Sequence, residues 1–181
     1  MSLSRLLPAG VFLILVVFLA IGLTRDPSVI PTEMIDREMP NFELPELRED
    51  DVMLTRTDLI GETALVNVFG SWCVACLQEH PTLMELSQAG TVRIVGVNWR
   101  DKREDALAWL AKHGDPYSDI IFDAESDLVI EMGVTGAPET FIIDPAGRIR
   151  YKQIGPITPE VWRDKIRPVL GAIARENEAG S

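Results

Sequence analysis

Hydrophobic positions along the chain fall into one long uncharged run and a series of shorter ones. From Leu6 to Thr24 no residue carries a charge, and Val11 to Leu19 is continuously apolar. A bilayer crossing needs about 20 apolar residues, which this segment just meets. Two readings stand: an uncleaved membrane anchor, favoured by the length of the run, and a cleaved signal peptide with Ala20-Ile21-Gly22 as a loose small-x-small site. Arg5 and the terminal amine precede the run, which places the N-terminus in the cytoplasm and the body outside. Pro27, Ser28, Pro31 and Thr32 then break any regular pattern, so Asp26 to Asp36 reads as a linker.

The body alternates apolar runs with amphipathic stretches. Met39 to Pro45 reads as a short edge strand, a place that tolerates its prolines. The runs at 64–69 and 92–98 read as buried strands, and 119–122 as a short one. Between them, a helix is expected from the cysteines to about Ser87 with Pro81 inside it, and another over Arg103 to Lys112, stopped by Gly114. Leu128 to Met132 reads as a brief helix ended by Gly133. Thr140–Asp144 and Ile149–Ile154, separated by Pro145-Ala146-Gly147, read as a hairpin. A last helix starts near Pro159 with Thr158 as its N-cap. The order β-α-β-α, hairpin, α predicts an α/β fold: a mixed central sheet with helices on both faces.

Composition narrows the functions. The chain has 181 residues, is 46% hydrophobic and carries a formal net charge of −11, so it builds a core but lacks the clustered basic surface that nucleic acid requires. Its only two cysteines, Cys73 and Cys76, lie three apart. That loop is too short to stabilise a fold much, so the pair reads as chemistry. A strand-to-helix junction is where a thiolate is favoured, because the first turn of a helix presents free N–H groups and the positive end of its dipole. Cys73, read as the more exposed, is the candidate nucleophile, and Cys76, pointing inward, the resolving thiol. Structural zinc needs about four ligands, and only His80 and His113 are at hand. Covalent haem attachment needs a histidine where Leu77 stands. The two histidines read as surface or helix-end residues, Trp99 and Trp109 as packing.

Ser71-Trp72-Cys73-Val74-Ala75-Cys76 after an apolar strand, with Gly133-Val134-Thr135-Gly136-Ala137-Pro138-Glu139-Thr140-Phe141 further on, resembles the thioredoxin superfamily. The Gly-Ala-Pro-Glu-Thr-Phe stretch, Glu79 and the N-terminal extension resemble its membrane-anchored CcmG/DsbE group of cytochrome c maturation. The resemblance covers about Met39 to Leu170. It implies a thioredoxin-like domain over 39–176, after an anchor at 1–25 and a linker at 26–38, and before a disordered tail at 177–181. It further implies a cis Ala137–Pro138 bond facing the disulfide, and Trp72, Ala137, Pro138 and Glu139 as substrate-binding residues. Glu79 would be the acid/base or pKa-tuning group, replacing the strand acid of ordinary thioredoxins, whose position is Asn67 here. No cofactor or metal is implied.

By the same resemblance the chain is a periplasmic thiol:disulfide oxidoreductase of the bacterial inner membrane that reduces the disulfide of apocytochrome c. Its partners would be apocytochrome c, a membrane electron donor of the DsbD/CcdA type and the haem-attachment machinery. The dipeptide Val74-Ala75 departs from the group in lacking the common proline. Carboxylates at Glu79 and Glu139 near the pair would disfavour a thiolate and make the dithiol a better electron donor. A general anchored disulfide reductase or isomerase, and an apoprotein-binding module with secondary thiol chemistry, remain as alternatives.

Overall fold

A computed structural model describes residues 11–13, 15–19 and 34–180. The chain divides into two units, Met1–Pro31 and Thr32–Ser181. In the first, residues 11–13 and 15–19 are helical with exposed side chains. Among the described residues no helix is long and apolar enough to cross a membrane. Most of the expected 1–25 anchor, the Ala20–Gly22 alternative and residues 26–33 of the expected linker lie outside the described residues.

The second unit is built on a five-stranded sheet whose strands in spatial order are Asp119–Asp123 (β5), Arg93–Trp99 (β4), Ala64–Phe69 (β3), Glu139–Ile143 (β6) and Ile149–Ile154 (β7). Its centre is β3, Ala64–Phe69, all six residues of which are buried. β4 (Arg93–Trp99) and β5 (Asp119–Asp123) run parallel to it, reached through helices α1 (Cys76–Gln88) and α2 (Arg103–His113). β6 (Glu139–Ile143) pairs with β3 antiparallel, and β7 (Ile149–Ile154) with β6. Parallel strands covered on both faces must be apolar throughout, which is why these runs carry so little polarity. This is a thioredoxin-like α/β fold with a mixed central sheet.

Side chains on β3 alternate between two cores. Leu65 and Phe69 pack with Leu83 and Leu86 of α1, with Trp109 and Leu110 of α2, and with both cysteines. Val66 and Val68 face the other way, with Val95, Val97, Phe141 and Ile143, under Leu128 and Val129 of α3 (Asp127–Glu131). Asn67 belongs by alternation to the first, cysteine-bearing face.

Three differences from the sequence reading concern short elements and ends. The edge strand is β1 (Glu43–Pro45), and its antiparallel partner β2 (Met53–Thr55), followed by a 3-10 turn at Arg56–Leu59, is too short to show a periodicity. The compact unit begins inside the expected linker: the Asp36 N–H donates to Ile149 O at 2.7 Å, and the Ile149 N–H to Arg37 O at 2.9 Å. At the other end, Thr158 Oγ1 accepts the Val161 N–H at 3.3 Å and Pro159 opens the helix. The helix passes through a π turn at Trp162–Ile166, where the Arg167 N–H reaches Trp162 O, and continues as α4, Arg167–Gly180. Residues 177–180, expected as a disordered tail, are therefore helical. Glu176, paired with Arg150 of β7 at 2.8 Å, holds the preceding turn.

Candidate active site

The loop between β3 and α1 carries the cysteines. The Cys73 N–H donates to Gly70 O at 3.0 Å, turning the chain as it leaves the sheet, and α1 begins at Cys76. Cys73 and Cys76 are disulfide-bonded, their Cα atoms 5.3 Å apart. The Cys76 N–H, first of the helix, points at Cys73 Sγ at 3.1 Å. An N–H donor and the helix dipole thus converge on the same sulfur, which favours that sulfur as an anion once the disulfide opens. Both cysteines are covered, Cys73 at 4% and Cys76 at 2% exposure, so the expected contrast between them is slight in the disulfide. Exposure belongs instead to the apolar residues around them: Trp72 at 49%, Val74 at 76% and Leu77 at 41%.

Trp72 is fixed although half exposed. Its indole N–H donates to Trp99 O at 3.0 Å, and the two indoles meet edge to face at 5.7 Å. The Trp72 ring lies over Gly70, where an added Cβ would come within 2.5 Å of Nε1, so this approach needs glycine. Asp101 ties the loop to the end of β4. It accepts from the Ser71 N–H, from Ser71 Oγ at 2.7 Å and from Asn98 Nδ2 at 3.1 Å.

Glu79 follows Cys76 by three residues on α1 and is 1% exposed, not a solvated helix glutamate. Its Oε1 accepts from Asn67 Nδ2 at 2.8 Å and its Oε2 from the Ile157 N–H at 2.9 Å. Both donors are neutral. Burial pushes the Glu79 carboxyl up to about 7, and the two hydrogen bonds only partly offset that rise. Asn67 also donates to Thr140 Oγ1 at 2.9 Å, and its Oδ1 accepts from Tyr117 Oη at 2.8 Å. Burial raises the Tyr117 phenol well above its ordinary value, and the nearby Glu79 charge adds to this. The sequence reading gave no site role to Tyr117, Thr140 or the Ile157 N–H. The available signal was Asn67 itself: an amide in the middle of a buried strand needs partners.

The Ala137–Pro138 peptide bond is cis. Pro138 is buried and Ala137 packs against the core cluster that contains both cysteines. The register of β6 on β3 pairs Val68 with Glu139, which sets Pro138 beside the start of the cysteine loop. Glu139 itself is not brought to the disulfide. It shares a face with Val68 and Phe141, behind the sheet, where Lys152 Nζ meets its Oε2 at 2.8 Å. The reason is the two-residue alternation of a strand: Thr140 and Ile142 face the cysteines, so Glu139 and Phe141 cannot. The expectation of two carboxylates near the pair is thus corrected to one, Glu79.

His80 is another correction. It is buried against Trp109, with ring centroids 4.6 Å apart, and its Nε2 lies 3.1 Å from Gly114 O. Burial lowers its pKa. Among the described residues no group of three or more His, Cys, Asp or Glu is placed to hold a metal ion.

Residues 35–169 match the Redoxin family. The chain is 46% identical over 165 residues to the thiol:disulfide interchange protein DsbE of Allochromatium vinosum, covering 91% of each protein. It is 44% identical over 174 residues to the protein of the same name from Pseudomonas aeruginosa, covering 96% of each. Among solved structures, a secreted thiol-disulfide isomerase from Corynebacterium glutamicum has the same fold. Its TM-score is 0.64 at 23% identity, over 81% of this chain and 96% of that one.

Proposed function

This chain belongs to the Redoxin family and, within it, to the DsbE thiol:disulfide interchange proteins, and from that premise we propose that it reduces the disulfide of apocytochrome c before haem attachment. That it is a thiol:disulfide oxidoreductase follows from the family. The observation that supports the finer reading is the Cys73–Cys76 pair at the start of α1 with a buried, neutrally partnered Glu79 on the same helix. A carboxylate there disfavours a second negative charge on the thiols and makes the dithiol a stronger electron donor.

In the proposed cycle the Cys73 thiolate attacks one sulfur of the substrate disulfide. The substrate S–S bond breaks, a mixed disulfide forms, and the first substrate thiolate leaves and takes a proton. Cys76 gives its proton to the Glu79 carboxylate, and its thiolate attacks Cys73 Sγ. The second substrate thiolate is released, the substrate has gained two electrons, and Cys73–Cys76 is oxidised. Trp72, Ala137 and Pro138 form the surface that receives the substrate around the disulfide. A membrane donor of the DsbD/CcdA type returns the two electrons, and the reduced apocytochrome passes to the haem-attachment machinery. The uncharged run from Leu6 to Thr24 supports an inner-membrane anchor with the catalytic domain in the periplasm.

Trapping tests this reading. Cys76→Ala removes the resolving thiol, and in cells it is expected to accumulate a mixed disulfide at Cys73 mainly with apocytochrome c. A broad set of trapped proteins would instead identify a general disulfide reductase. Mass spectrometry of the mature N-terminus checks the anchor, which predicts an uncleaved chain.

A further inference from the structure

The buried pair behind the sheet is unused by the chemistry above, yet the side-chain hydrogen bonds it makes among the described residues lead to one loop. Lys152 of β7 meets Glu139 Oε2 at 2.8 Å, donates to Gly133 O at 2.7 Å and lies over the Phe141 ring at 5.2 Å. Glu139 Oε1 accepts from the Thr135 N–H at 3.0 Å and from Thr135 Oγ1. Lys152 and Glu139 thus grip residues 133 and 135 from behind, and the Gly155 N–H, just past the end of β7, holds Pro138 O at 3.0 Å.

The segment is anchored at its start by the Gly133 and Val134 N–H bonds to Ile130 O and Val129 O and by Val134 on the back core, and at its end by Ala137 and Pro138, but among the described residues its middle has no such hold. Gly133, Thr135 and Gly136 contribute almost nothing to either core, and a Cβ at Gly133 or Gly136 would meet no atom within 4 Å. The loop carries Ala137 and Pro138, which lie beside the cysteine loop on the opposite face. We infer that Lys152 and Glu139 are positioning residues: through the sheet's back face they hold the 133–138 loop in the shape that receives a disulfide-bearing polypeptide. This rests on the reading that Ala137 and Pro138 meet substrate. A buried charge pair suits the task because it is costly to open and directional, where an apolar contact would let the loop slide.

The test uses the folded oxidoreductase, reduced, with an oxidised dithiol peptide as substrate. Lys152→Met removes the ammonium and its bond to Gly133. Because Glu139 is then left uncompensated, the double variant Lys152→Met/Glu139→Gln is measured beside it. The amide introduced by Glu139→Gln retains an acceptor for Thr135, both charges are gone, and the Gly133 bond stays broken. The expected result for both is a KM raised by about tenfold, with kcat nearly unchanged, since loosening a binding loop costs orientation. The Cys73–Cys76 reduction potential stays at the wild-type value, because the pair does not touch that face. Amide exchange at Thr135 and Gly136 is faster than in wild type.

An unchanged KM in the folded double variant overturns the positioning role. So does a fall in kcat together with a shifted potential, which would mean that the pair acts on the disulfide itself. The wild-type KM against Pro138→Ala tests the underlying reading separately: if that substitution leaves the wild-type KM unaltered, the loop is not the substrate surface, and the inference falls with it.

Discussion

Two buried glutamates stand on opposite faces of the central sheet and are held in different ways. Among the described residues, Glu79, on the disulfide face, is met only by neutral donors, Asn67 Nδ2 and the Ile157 N–H. Glu139, on the other face, is met by the Lys152 ammonium at 2.8 Å. Where the partners are neutral, desolvation wins and the Glu79 carboxyl rises to about 7, inside the range where it can take and return a proton. Where the partner is a cation, the carboxylate becomes part of a brace. Burial alone therefore does not mark a reactive glutamate; the charge of what faces it does.

The largest expected effect breaks the brace. Lys152→Met leaves a buried carboxylate without its cation and is expected to lower folding stability by about 3–5 kcal/mol in denaturant titration. A loss below about 1 kcal/mol would mean that solvent reaches Glu139.

The next effect belongs to Glu79. Its folded-state pKa of about 7 lies above the ordinary 4.5, so between those values the folded protein holds a proton that the unfolded chain has released. Stability from this group is therefore greatest below pH 4.5, falls as pH rises toward 7 and is level above. The shift corresponds to about 3 kcal/mol over that window. Glu79→Gln is expected to flatten this part of the stability profile, whereas removing Glu139 and Lys152 together leaves it in place.

A smaller effect sharpens the neutral side of the comparison. Tyr117→Phe deletes the phenol that donates to Asn67 Oδ1 and leaves a buried acceptor unpaired, at a cost of about 1–3 kcal/mol by thermal or denaturant unfolding. The ring stack on Phe69, with centroids at 4.7 Å, remains. The smallest is Trp72→Ala. It removes a half-exposed indole with its hydrogen bond to Trp99 O and its edge-to-face contact, and is expected to cost about 1 kcal/mol of stability while raising the KM for a peptide disulfide.

What could be read from the sequence follows the range of the forces involved. The runs at 64–69 and 140–143 announce buried strands because a central strand must be apolar on both sides, and the cysteines at the junction announce the redox pair. Glu79 was legible as a candidate only through a resemblance. Its burial depends on Asn67 in β3 and on Ile157 before the last helix, both distant in sequence. Glu139 was misplaced for want of register: the alternation of Glu139, Thr140 and Phe141 is visible, but which side faces Cys73 is decided by pairing with Val68 and Asn67. Tyr117 follows Asp115-Pro116 in a loop with no periodicity to place it, and β2 is only three residues long.

In the proposed function Cys73–Cys76 acts as an electron donor tuned by one buried carboxyl, that of Glu79. The most direct measurement is its reduction potential as a function of pH, for wild type and Glu79→Gln. A protonation constant that differs between the oxidised and reduced forms bends that line. The expected wild-type potential is far below the roughly −120 mV of the DsbA type, with a bend near pH 7 that is missing in Glu79→Gln. A potential close to the DsbA value, or the same bend in both proteins, would contradict the claim.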